Sequence, residues 1–407
     1  MEKQYKITPE DLERVRTEAA DSQEIARPAL SYSRDVWYRF SKNPLSMVGL
    51  IIILLILFLA AFGMFLTPHT HSRQDLSMSN LPPMLTCYKR PNGQLLYVHK
   101  EYTLYEISPK GEVIKRYEAS GEDKATRTRT YTIDGAELVM DYSGAAKVAK
   151  AEKKGDYAKA ASLERFTLYE NGQKLTETTS KWNRTYVCGT DYLGRDMFAR
   201  LIYGARISLL VALVATLVQF FIGVLYGGIA GYLGGWVDNL MMRIVDIIST
   251  VPLTLYVVLL MVVLQPGLKT IILALASVYW VDMARQVRGQ ILSIKNQEYV
   301  LAAKTIGAST GRIMRKHLVP NAMGAIIVSL TMSIPSAIFT ESFLSFIGLG
   351  VSAPAPAWGA RATDARGGLR TKPNPKFLPA RLICVTVLGF NFLGDGLRDA
   401  LDPKLRK

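Results

Sequence analysis

Residues 47–66 read Met-Val-Gly-Leu-Ile-Ile-Ile-Leu-Leu-Ile-Leu-Phe-Leu-Ala-Ala-Phe-Gly-Met-Phe-Leu, a run without a single charge. A helix of about 20 apolar residues is long enough to cross the ~30 Å hydrocarbon core of a bilayer. Further uncharged stretches occupy residues 207–237, 247–268 and 321–340. This pattern excludes a soluble globular enzyme and a disordered chain, and it predicts an α-helical polytopic membrane protein.

The apolar stretches predict six transmembrane helices. The first is at 46–66, and the other five lie at roughly 206–230, 240–264, 270–290, 322–346 and 378–397. Two are less apolar, because 270–290 carries Asp282, Arg285 and Arg288, and the last stretch contains Arg381 and Asp395. An even number of spans places both termini on one side of the membrane.

Charge predicts the orientation. The chain has 49 Lys+Arg against 34 Asp+Glu, and basic residues concentrate in cytoplasmic loops of membrane proteins. Segments 1–45, 298–320 and 401–407 contain eight, four and three Lys or Arg and fall on the same side, so we expect N- and C-termini in the cytoplasm. The basic cluster at 361–376 would lie outside, which conflicts mildly with that rule. No basic-aromatic motif points to nucleic acid.

Residues 67–186 form an insert of a different character. It contains 19 Lys+Arg and 15 Asp+Glu, too many charges for a bilayer core, and its apolar residues alternate with period 2. Three hairpins are predicted, at 95–117, 127–142 and 164–179; Asp134-Gly135 and Asn171-Gly172 are strong turn signals in the second and third. An Ala- and Lys-rich stretch at 145–162 predicts one helix. We expect an extracytoplasmic α+β domain.

Cys87 and Cys188 bracket the insert. An extracytoplasmic location permits disulfides, and a bridge closing a loop of about 100 residues would contribute up to ~4.7 kcal/mol. Two unpaired buried thiols are the alternative.

Residues 298–321 predict a helix, a break and a second helix. Glu298 begins the first helix, and its small residues Ala302 and Ala303 permit close approach of another backbone. Gly307, followed by Ala308, can take the left-handed conformation that ends a helix. The second helix has Ser309 as a candidate N-cap, an apolar stripe with Ile313, Met314, His317 and Leu318, and a stop at Pro320, before Asn321. Such an amphipathic helix suits docking on a partner; resting on lipid headgroups is the alternative.

This loop resembles the EAA loop of ABC importer permeases, which docks on the ATPase subunits. The resemblance extends over 187–407 and the first span, through GTDYLGRD (189–196), YGARISL (203–209), GYLGGWVD (231–238), ESFLSFIGLG (341–350), WG (358–359) and NFLGDGLRDALDP (391–403). These motifs are specific to the C-type subunit of oligopeptide, dipeptide and nickel importers. The resemblance implies a type I ABC importer permease fold in the bacterial inner membrane, and the ten residues of the loop that it assigns to ATPase coupling are Glu298, Ala302, Ala303, Gly307, Ala308, Ser309, Ile313, His317, Pro320 and Asn321.

The same resemblance implies the partners: a homologous B-type permease forming a heterodimer with this chain, two ABC ATPases and an extracytoplasmic solute-binding protein, all working in membrane lipid. No Gly-x-x-x-x-Gly-Lys-Ser/Thr loop occurs, so ATP and Mg are expected on partner subunits, with no catalytic residues or cofactor in this chain. The expected cargo is oligopeptides or dipeptides, moved by alternating access.

Two features depart from the family pattern. Leu301 replaces the Glu that names the EAA loop, and the insert is far longer than the usual connection. The insert is predicted either to dock a solute-binding protein or the partner permease, or to be a structural cap near the outer gate.

Ionisable residues within spans are functional candidates, since a charge at the bilayer centre costs ~2.5–3.5 kcal/mol. Glu341 is the strongest candidate, for an outer gate or the subunit interface. Asp246 follows, with Arg243 one turn earlier as a candidate partner, whereas Asp282 and Asp395 are interpreted as interfacial charges near span ends.

His69 and His71 form a His-x-His pair, which is interpreted as part of a linker rather than a metal site. Two other classes of protein are disfavoured. A membrane-anchored sensor would need a large cytoplasmic signalling domain, and a secondary transporter would need internal repeats and a charged or broken-helix site in mid-membrane.

Overall fold

The computed structural model describes residues 31–350, 357–359 and 378–402. Most of the predicted N-terminal segment 1–45, the basic cluster at 361–376 and the tail beyond residue 402 lie outside this part of the chain.

The membrane part is built from α-helices. α1 spans Tyr32–Lys42 and α2 spans Pro44–Phe62, which continues as a 3₁₀ turn, Gly63–Leu66. The insert contributes α3 (Gly144–Lys153) and α4 (Tyr157–Ser162). The remaining helices are α5 (Met197–Leu233), α6 (Gly235–Thr250), α7 (Leu253–Leu264), α8 (Leu268–Ile294), α9 (Glu298–Thr305), α10 (Thr310–Ile313), α11 (Val319–Phe346) and α12 (Leu378–Leu401).

Four helical segments of the described residues are long and apolar enough to cross a membrane: Pro44–Leu66, Met197–Leu233, Thr310–Phe346 and Leu378–Leu401. The pair α6–α7 becomes a fifth if the two bent helices count as one span. α8, predicted as a span at 270–290, does not reach the same hydropathy, since it contains Lys269, Asp282, Arg285 and Arg288.

The predicted continuous span at 240–264 is wrong in detail. α6 and α7 meet at an angle of 81° across a short break. Val251 is extended and Pro252 precedes the first residue of α7. Proline lacks a backbone N–H and disfavours the helical conformation of the residue before it, so a helix cannot continue unbroken through this point.

Glycines bring α5 and α8 into backbone contact. A Cβ atom at Gly223 would lie 2.5 Å from the Met283 side chain, and one at Gly227 would lie 2.2 Å from the Ala284 carbonyl oxygen. One turn further, Gly231 meets Arg288 in the same way, at 2.9 Å. Small residues at four-residue spacing allow such close packing in membranes. Because the contacts advance together along both chains, α5 and α8 run parallel.

The other helices alternate in direction. α2 is antiparallel to α12, because Gly49 approaches Gly389 while Gly396 approaches Ser46. α12 is also antiparallel to α11, where Gly394 meets Met332. α2 is antiparallel to α5 as well, since Gly63 lies against Ile202 and the Arg206 guanidinium donates to the carbonyl oxygens of Ala60 and Ala61. α2 and α11 therefore run one way, and α5, α8 and α12 run the other.

The insert contains two five-stranded antiparallel sheets. The first has the order β10-β1-β2-β3-β4 and the second β5-β6-β7-β8-β9. The strands are β1 (Met84–Lys89), β2 (Leu95–Val98), β3 (Leu104–Ile107), β4 (Val113–Tyr117), β5 (Gly121–Asp123), β6 (Thr128–Ile133), β7 (Ala136–Asp141), β8 (Thr167–Glu170), β9 (Gln173–Lys174) and β10 (Thr178–Trp182).

The two sheets share a core. Leu96 and Leu104 of the first sheet pack with Tyr131, Leu138 and Leu168 of the second. The other face of the first sheet is buried too, which explains why all of β2 is buried. Between the sheets the buried Arg90 guanidinium forms an ion pair with Glu170 at 2.6 Å.

The second and third predicted hairpin turns are confirmed. Asp134 and Gly135 have φ of 53° and 78°, and Asn171 and Gly172 have 47° and 82°, so both residues of each turn have the positive φ that favours these dipeptides.

Two longer elements of the insert are each interrupted. A 3₁₀ turn, Lys100–Tyr102, separates β2 from β3 within the predicted strand 95–107. The predicted helix 145–162 ends at Lys153, and Gly155 (φ 77°) lets the chain turn before α4. The Asp156 side chain then caps α4 by accepting from the Lys159 N–H.

The predicted disulfide is wrong, because Cys87 and Cys188 are both free thiols. Cys87 is on β1, opposite Thr179 of β10 and Tyr97 of β2. It lies fully buried in the core beneath the first sheet, in a cluster that does not include Cys188. Burial raises the pKa of each thiol to about 11, so both remain protonated at neutral pH.

The base of the insert is rigidly connected to the start of α5. A Cβ atom at Gly189 would lie 2.3 Å from the Leu81 carbonyl oxygen. The buried Asp191 carboxylate forms an ion pair with Arg195 at 2.7 Å. Asp196 caps α5 through the Phe198 N–H and accepts from the Thr67 hydroxyl at 2.8 Å. The insert therefore continues into the helical bundle through a buried polar junction.

We predict that Gly227→Ala destabilises the protein by about 1–3 kcal/mol, the usual cost of overpacking, because the added methyl group would collide with the α8 backbone. Gly289→Ala on α8 is the matched control, since a Cβ atom there meets nothing within 4 Å. Thermal unfolding in detergent measures both. Equal melting temperatures for the two variants would contradict the close contact.

Candidate functional site

The segment between α8 and α11 adopts the predicted helix–break–helix form. α9 ends at Thr305, and Gly307 has φ of 83°, the left-handed conformation expected there. Ser309 is the N-cap residue of α10, as predicted, although its side chain makes no capping hydrogen bond. The four-residue α10 continues into a π-helical turn, Met314–Leu318.

The predicted stop at Pro320 is wrong. The helical segment runs without interruption from Thr310 to Phe346, and Pro320 occupies the first turn of α11. Proline is tolerated in the first turn of a helix. The π-helical turn immediately before it changes the hydrogen-bonding pattern from i−4 to i−5, so the missing N–H falls at a junction rather than inside a regular helix.

The apolar stripe of the second helix faces the protein itself, not a partner. Ile313 is 1% exposed and Leu318 is fully buried. His317 is half-buried, with its ring 6.3 Å from that of Tyr299. The stripe completes a cluster formed by Met283, Val287, Ile291, Val300, Ala322 and Ile326, with Ala303, Ala308 and Met314 at its margin. The expectation that Ile313 and His317 dock on a partner is therefore incorrect for Ile313.

A different apolar surface faces outward. Leu301 is 47% exposed and Ile306 is 86% exposed, and Ala302 between them is exposed as well. We call Leu301, Ala302 and Ile306 the α9 outer face. The sequence analysis assigned Ala302 to the coupling loop, but neither Leu301 nor Ile306. Because the helix is interrupted at Gly307, its periodicity is too short to show which side of α9 these two residues occupy.

Polar groups surround the α9 outer face. Glu298 is exposed in the first turn of α9, where the helix dipole favours an acidic side chain. Ser309 and Asn321 are also exposed, and the Asn321 amide donates to the His317 carbonyl oxygen at 2.6 Å. Exposed basic residues complete the rim: Lys304, Arg312, Arg315 and Lys316.

The segment is fastened to the end of α5. The Lys295 ammonium donates to the Gly231 carbonyl oxygen at 3.0 Å, and Lys304 lies 5.2 Å from the centre of the Tyr232 ring. A Cβ atom at Gly228 would meet the Met314 sulfur at 3.4 Å. The segment therefore contacts the last turns of α5 directly.

Glu341 lies within a single subunit. It is fully buried on α11. Its carboxylate accepts from the hydroxyls of Ser208 on α5 and Ser345 on α11, each at 2.8 Å, and from Ser342 at 3.4 Å. A group without exposed surface cannot contact another subunit, so the interface role is ruled out for this conformation. The hydroxyls of both helices instead make Glu341 a link between α5 and α11.

Asp246 pairs with a residue other than the one predicted. Its carboxylate lies 3.0 Å from the Arg285 guanidinium of α8, and Ser249 accepts from the same guanidinium at 2.7 Å. Arg243 is exposed and forms no ion pair with the described residues. A second link between α6 and α8 was not anticipated: Arg288 contacts both Asp238 oxygens, at 2.5 and 2.6 Å.

The His-x-His pair is used in packing. The His69 ring stacks on Tyr186, and the His71 ring stacks on Tyr203 with 3.8 Å between centroids. Burial, followed by the charge of Arg200, lowers the pKa of His71. Within the described residues, no group of three or more His, Cys, Asp or Glu is arranged to hold a metal ion.

Comparisons with known proteins identify the class. Residues 223–407 match the family described as binding-protein-dependent transport system inner membrane component, and residues 31–83 match the N-terminal TM domain of oligopeptide transport permease C. The fold and these matches define a membrane-spanning permease subunit of an ABC importer. In this class ATP hydrolysis belongs to separate ATPase subunits, and a partner permease completes the membrane part.

Individual relatives narrow the family further. The chain is 42% identical to the dipeptide transport system permease protein DppC of Bacillus subtilis over 392 residues, covering 95% of this chain and 90% of the relative. It is 56% identical over 219 residues to the oligopeptide transport system permease protein OppC of the same organism, covering 54% and 72%. The chain therefore belongs to the C-type permeases of peptide ABC importers.

A solved structure with a related fold is the inward-facing MetNI methionine ABC transporter. One of its chains matches at 20% identity with a TM-score of 0.44, covering 51% of this chain and 98% of that chain.

The comparisons also bear on the insert. The DppC of Lactococcus lactis is 35% identical over 395 residues, 97% of either chain. An alignment of that extent includes the insert, whereas the match to the Bacillus OppC covers only about half of this chain. The long insert is therefore shared with some family members and is not peculiar to this chain.

We predict that Gly307→Ala strains the loop by about 1–2 kcal/mol, the cost of a left-handed conformation for a residue with a Cβ atom. Gly311→Ala is the control, because both glycines have open space around a Cβ atom and only Gly307 has positive φ. Hydrogen exchange of residues 298–318 should quicken in the first variant alone. Unchanged exchange in Gly307→Ala would refute the conformational requirement.

Replacing Glu341 tests the link between α5 and α11. Glu341→Leu leaves three buried hydroxyls without their acceptor, which costs about 1–3 kcal/mol for each unsatisfied group. Glu341→Gln keeps one accepting oxygen and should unfold at a temperature between those of wild type and Glu341→Leu. A melting temperature for Glu341→Leu equal to that of wild type would show that the carboxylate does not stabilise this contact.

Proposed function

We propose that this chain forms half of a peptide translocation pathway in the bacterial inner membrane, together with a homologous B-type permease. Two ATPase subunits bind at the α9 outer face, and an extracytoplasmic solute-binding protein delivers the cargo. The observation that carries the proposal is the α9 outer face itself, two exposed apolar side chains in a polar rim at one end of a membrane bundle. An exposed apolar patch rimmed by polar residues is a typical mark of a protein interaction site.

Six membrane crossings are supported by the directions of the helices. α5 and α8 run parallel, so the bent pair α6–α7 between them has to return across the same layer. α8 then counts as a span despite its charges, because α5 packs closely along one of its faces. This arrangement puts α1 and the end of α12 on the same side, in agreement with cytoplasmic termini.

The positions of the insert and of α9 agree with that orientation. The insert connects the end of α2 to the start of α5, whereas α9 lies beyond the end of α8 and contacts Tyr232 at the end of α5. The two are therefore at opposite ends of the bundle. With α9 in the cytoplasm, the insert is extracytoplasmic.

Coupling then follows from the contacts of α9. Closure of the ATPases on ATP moves the α9 outer face, and the Gly231 and Tyr232 contacts carry the movement to α5 and, through the glycine contacts, to α8. The loop transmits work only if it binds the ATPases differently in their open and closed states. ATP and Mg belong to the ATPases, and this chain supplies no cofactor site.

Peptide cargo is supported by the names of the relatives, which are dipeptide and oligopeptide permeases. For the insert we favour a docking surface for the binding protein or the partner permease. Its rigid junction with α5 would let a bound protein influence the span directly.

The test is ATPase activity of the reconstituted complex of both permeases and both ATPases, stimulated by peptide-loaded binding protein. Ile306→Asp should reduce the stimulated rate at least about tenfold, because a charge replaces an apolar contact in the interface. Ile306→Leu is the matched control, because it keeps an apolar side chain of similar volume at the same position. Equal stimulation of the two variants would refute docking at the α9 outer face.

A further inference from the structure

α8 carries an exposed carboxylate half-way along its length. Asp282 is fourteen residues after the first residue of α8 and twelve before the last, not near an end as expected from the sequence. Neighbours of Asp282 on α8 pack against Gly223 and Gly227 of α5, which belong to the uncharged stretch 207–237. The Asp282 side chain is nevertheless 89% exposed.

The nearest cation is shared with another carboxylate. Arg285 Nη1 lies 3.7 Å from Asp282, whereas Nη2 approaches Asp246 more closely, at 3.0 Å, and donates to Ser249. The ion pair with Asp282 is therefore the longer of the two. The Asp282 carboxylate remains open on the side facing away from the bundle.

The surface around Asp282 is polar across two helices. Gln286 donates to the Ser329 hydroxyl of α11, and the Tyr279 hydroxyl donates to Thr340 at 2.8 Å. Ser336 is exposed on α11, and its backbone carbonyl accepts from Tyr279 at 3.5 Å. We call Tyr279, Asp282, Gln286, Ser329 and Ser336 the α8–α11 polar face.

The rest of the bundle shows what a lipid-facing surface looks like in this protein. The exposed side chains along α5 at the same depth are all apolar, and they include Leu213, Leu217, Phe221 and Leu225. Acyl chains offer no hydrogen bonds, so ionised side chains within spans face the bundle interior or a water-filled cavity. The α8–α11 polar face is therefore suited to water or to another polar surface, and not to lipid.

We propose that the α8–α11 polar face lines the translocation pathway and that the Asp282 carboxylate binds the cationic group of a peptide in transit, its N-terminal ammonium. Every peptide with a free N-terminus carries that group, whatever its side chains. One carboxylate at mid-depth therefore provides a transient site for cargo of varied sequence, while the polar groups beside it accept and donate hydrogen bonds to the peptide backbone. This inference rests on the proposed function and adds the site that contacts the cargo.

Uptake of a free-N-terminus tripeptide by the complete complex in proteoliposomes tests the site. We expect Asp282→Asn to lower ATP-dependent uptake about tenfold, as for loss of a close charge pair, and Asp282→Glu to retain at least half of wild-type uptake. Lys269→Gln, which removes a charge from the exposed start of the same helix, is the control and should transport normally.

A second measurement tests access to water. With the three native cysteines replaced by alanine, Asp282→Cys in the complex should react with a cationic methanethiosulfonate at least about tenfold faster than Phe221→Cys, because thiolate forms only where water reaches the sulfur. Comparable rates at the two positions would overturn the inference.

Two other results would overturn it as well. Unchanged uptake by Asp282→Asn would show that the carboxylate does not meet the cargo. Loss of the partner permease from purified Asp282→Asn would show that Asp282 is instead a contact between subunits. If the wild-type complex showed no ATP-dependent peptide uptake at all, the proposed function would fail first, and the inference with it.

Discussion

The backbone contact between α5 and α8 is the constraint on which the remaining structure depends. Gly227 approaches the Ala284 carbonyl so closely that no side chain fits between them. Direct packing of this kind replaces the hydrophobic driving force that is missing between helices in lipid. α5 packs along one face of α8, although four charged residues lie along that helix.

The same contact joins the two functional regions of the membrane part. At one end of the pair, Lys295 and Lys304 attach the segment beyond α8 to Gly231 and Tyr232 of α5. Half-way along, α8 carries Asp282 at the level of the central glycines. Under the proposed function, movement of α9 would reach the Asp282 surface through helices in direct contact.

Most secondary structure followed from local patterns in the sequence. Twenty uncharged residues specify a membrane helix, Asp-Gly and Asn-Gly specify their hairpin turns, and Gly307 specifies the break after α9. Each of these depends on hydropathy or on backbone sterics over a few residues. The errors occurred where one residue type has two local outcomes. A helix ends before Pro252, whereas Pro320 lies in the first turn of a helix. The outcome depends on whether the N–H that proline lacks would have had a hydrogen-bond partner within the helix.

What the sequence determined by itself is therefore the class of protein and the family, since motifs along 187–407 identify it. Six crossings were predicted, whereas four or five spans in the described residues are long and apolar enough. Only the tertiary structure decided which side of each element is covered. Ile313 is buried and Ile306 is exposed. Cys87 lies in a sheet core that does not include Cys188, and Asp246 forms an ion pair with Arg285 instead of Arg243. Such outcomes depend on which elements become neighbours, and neighbours distant in the chain leave no periodic signal in the sequence.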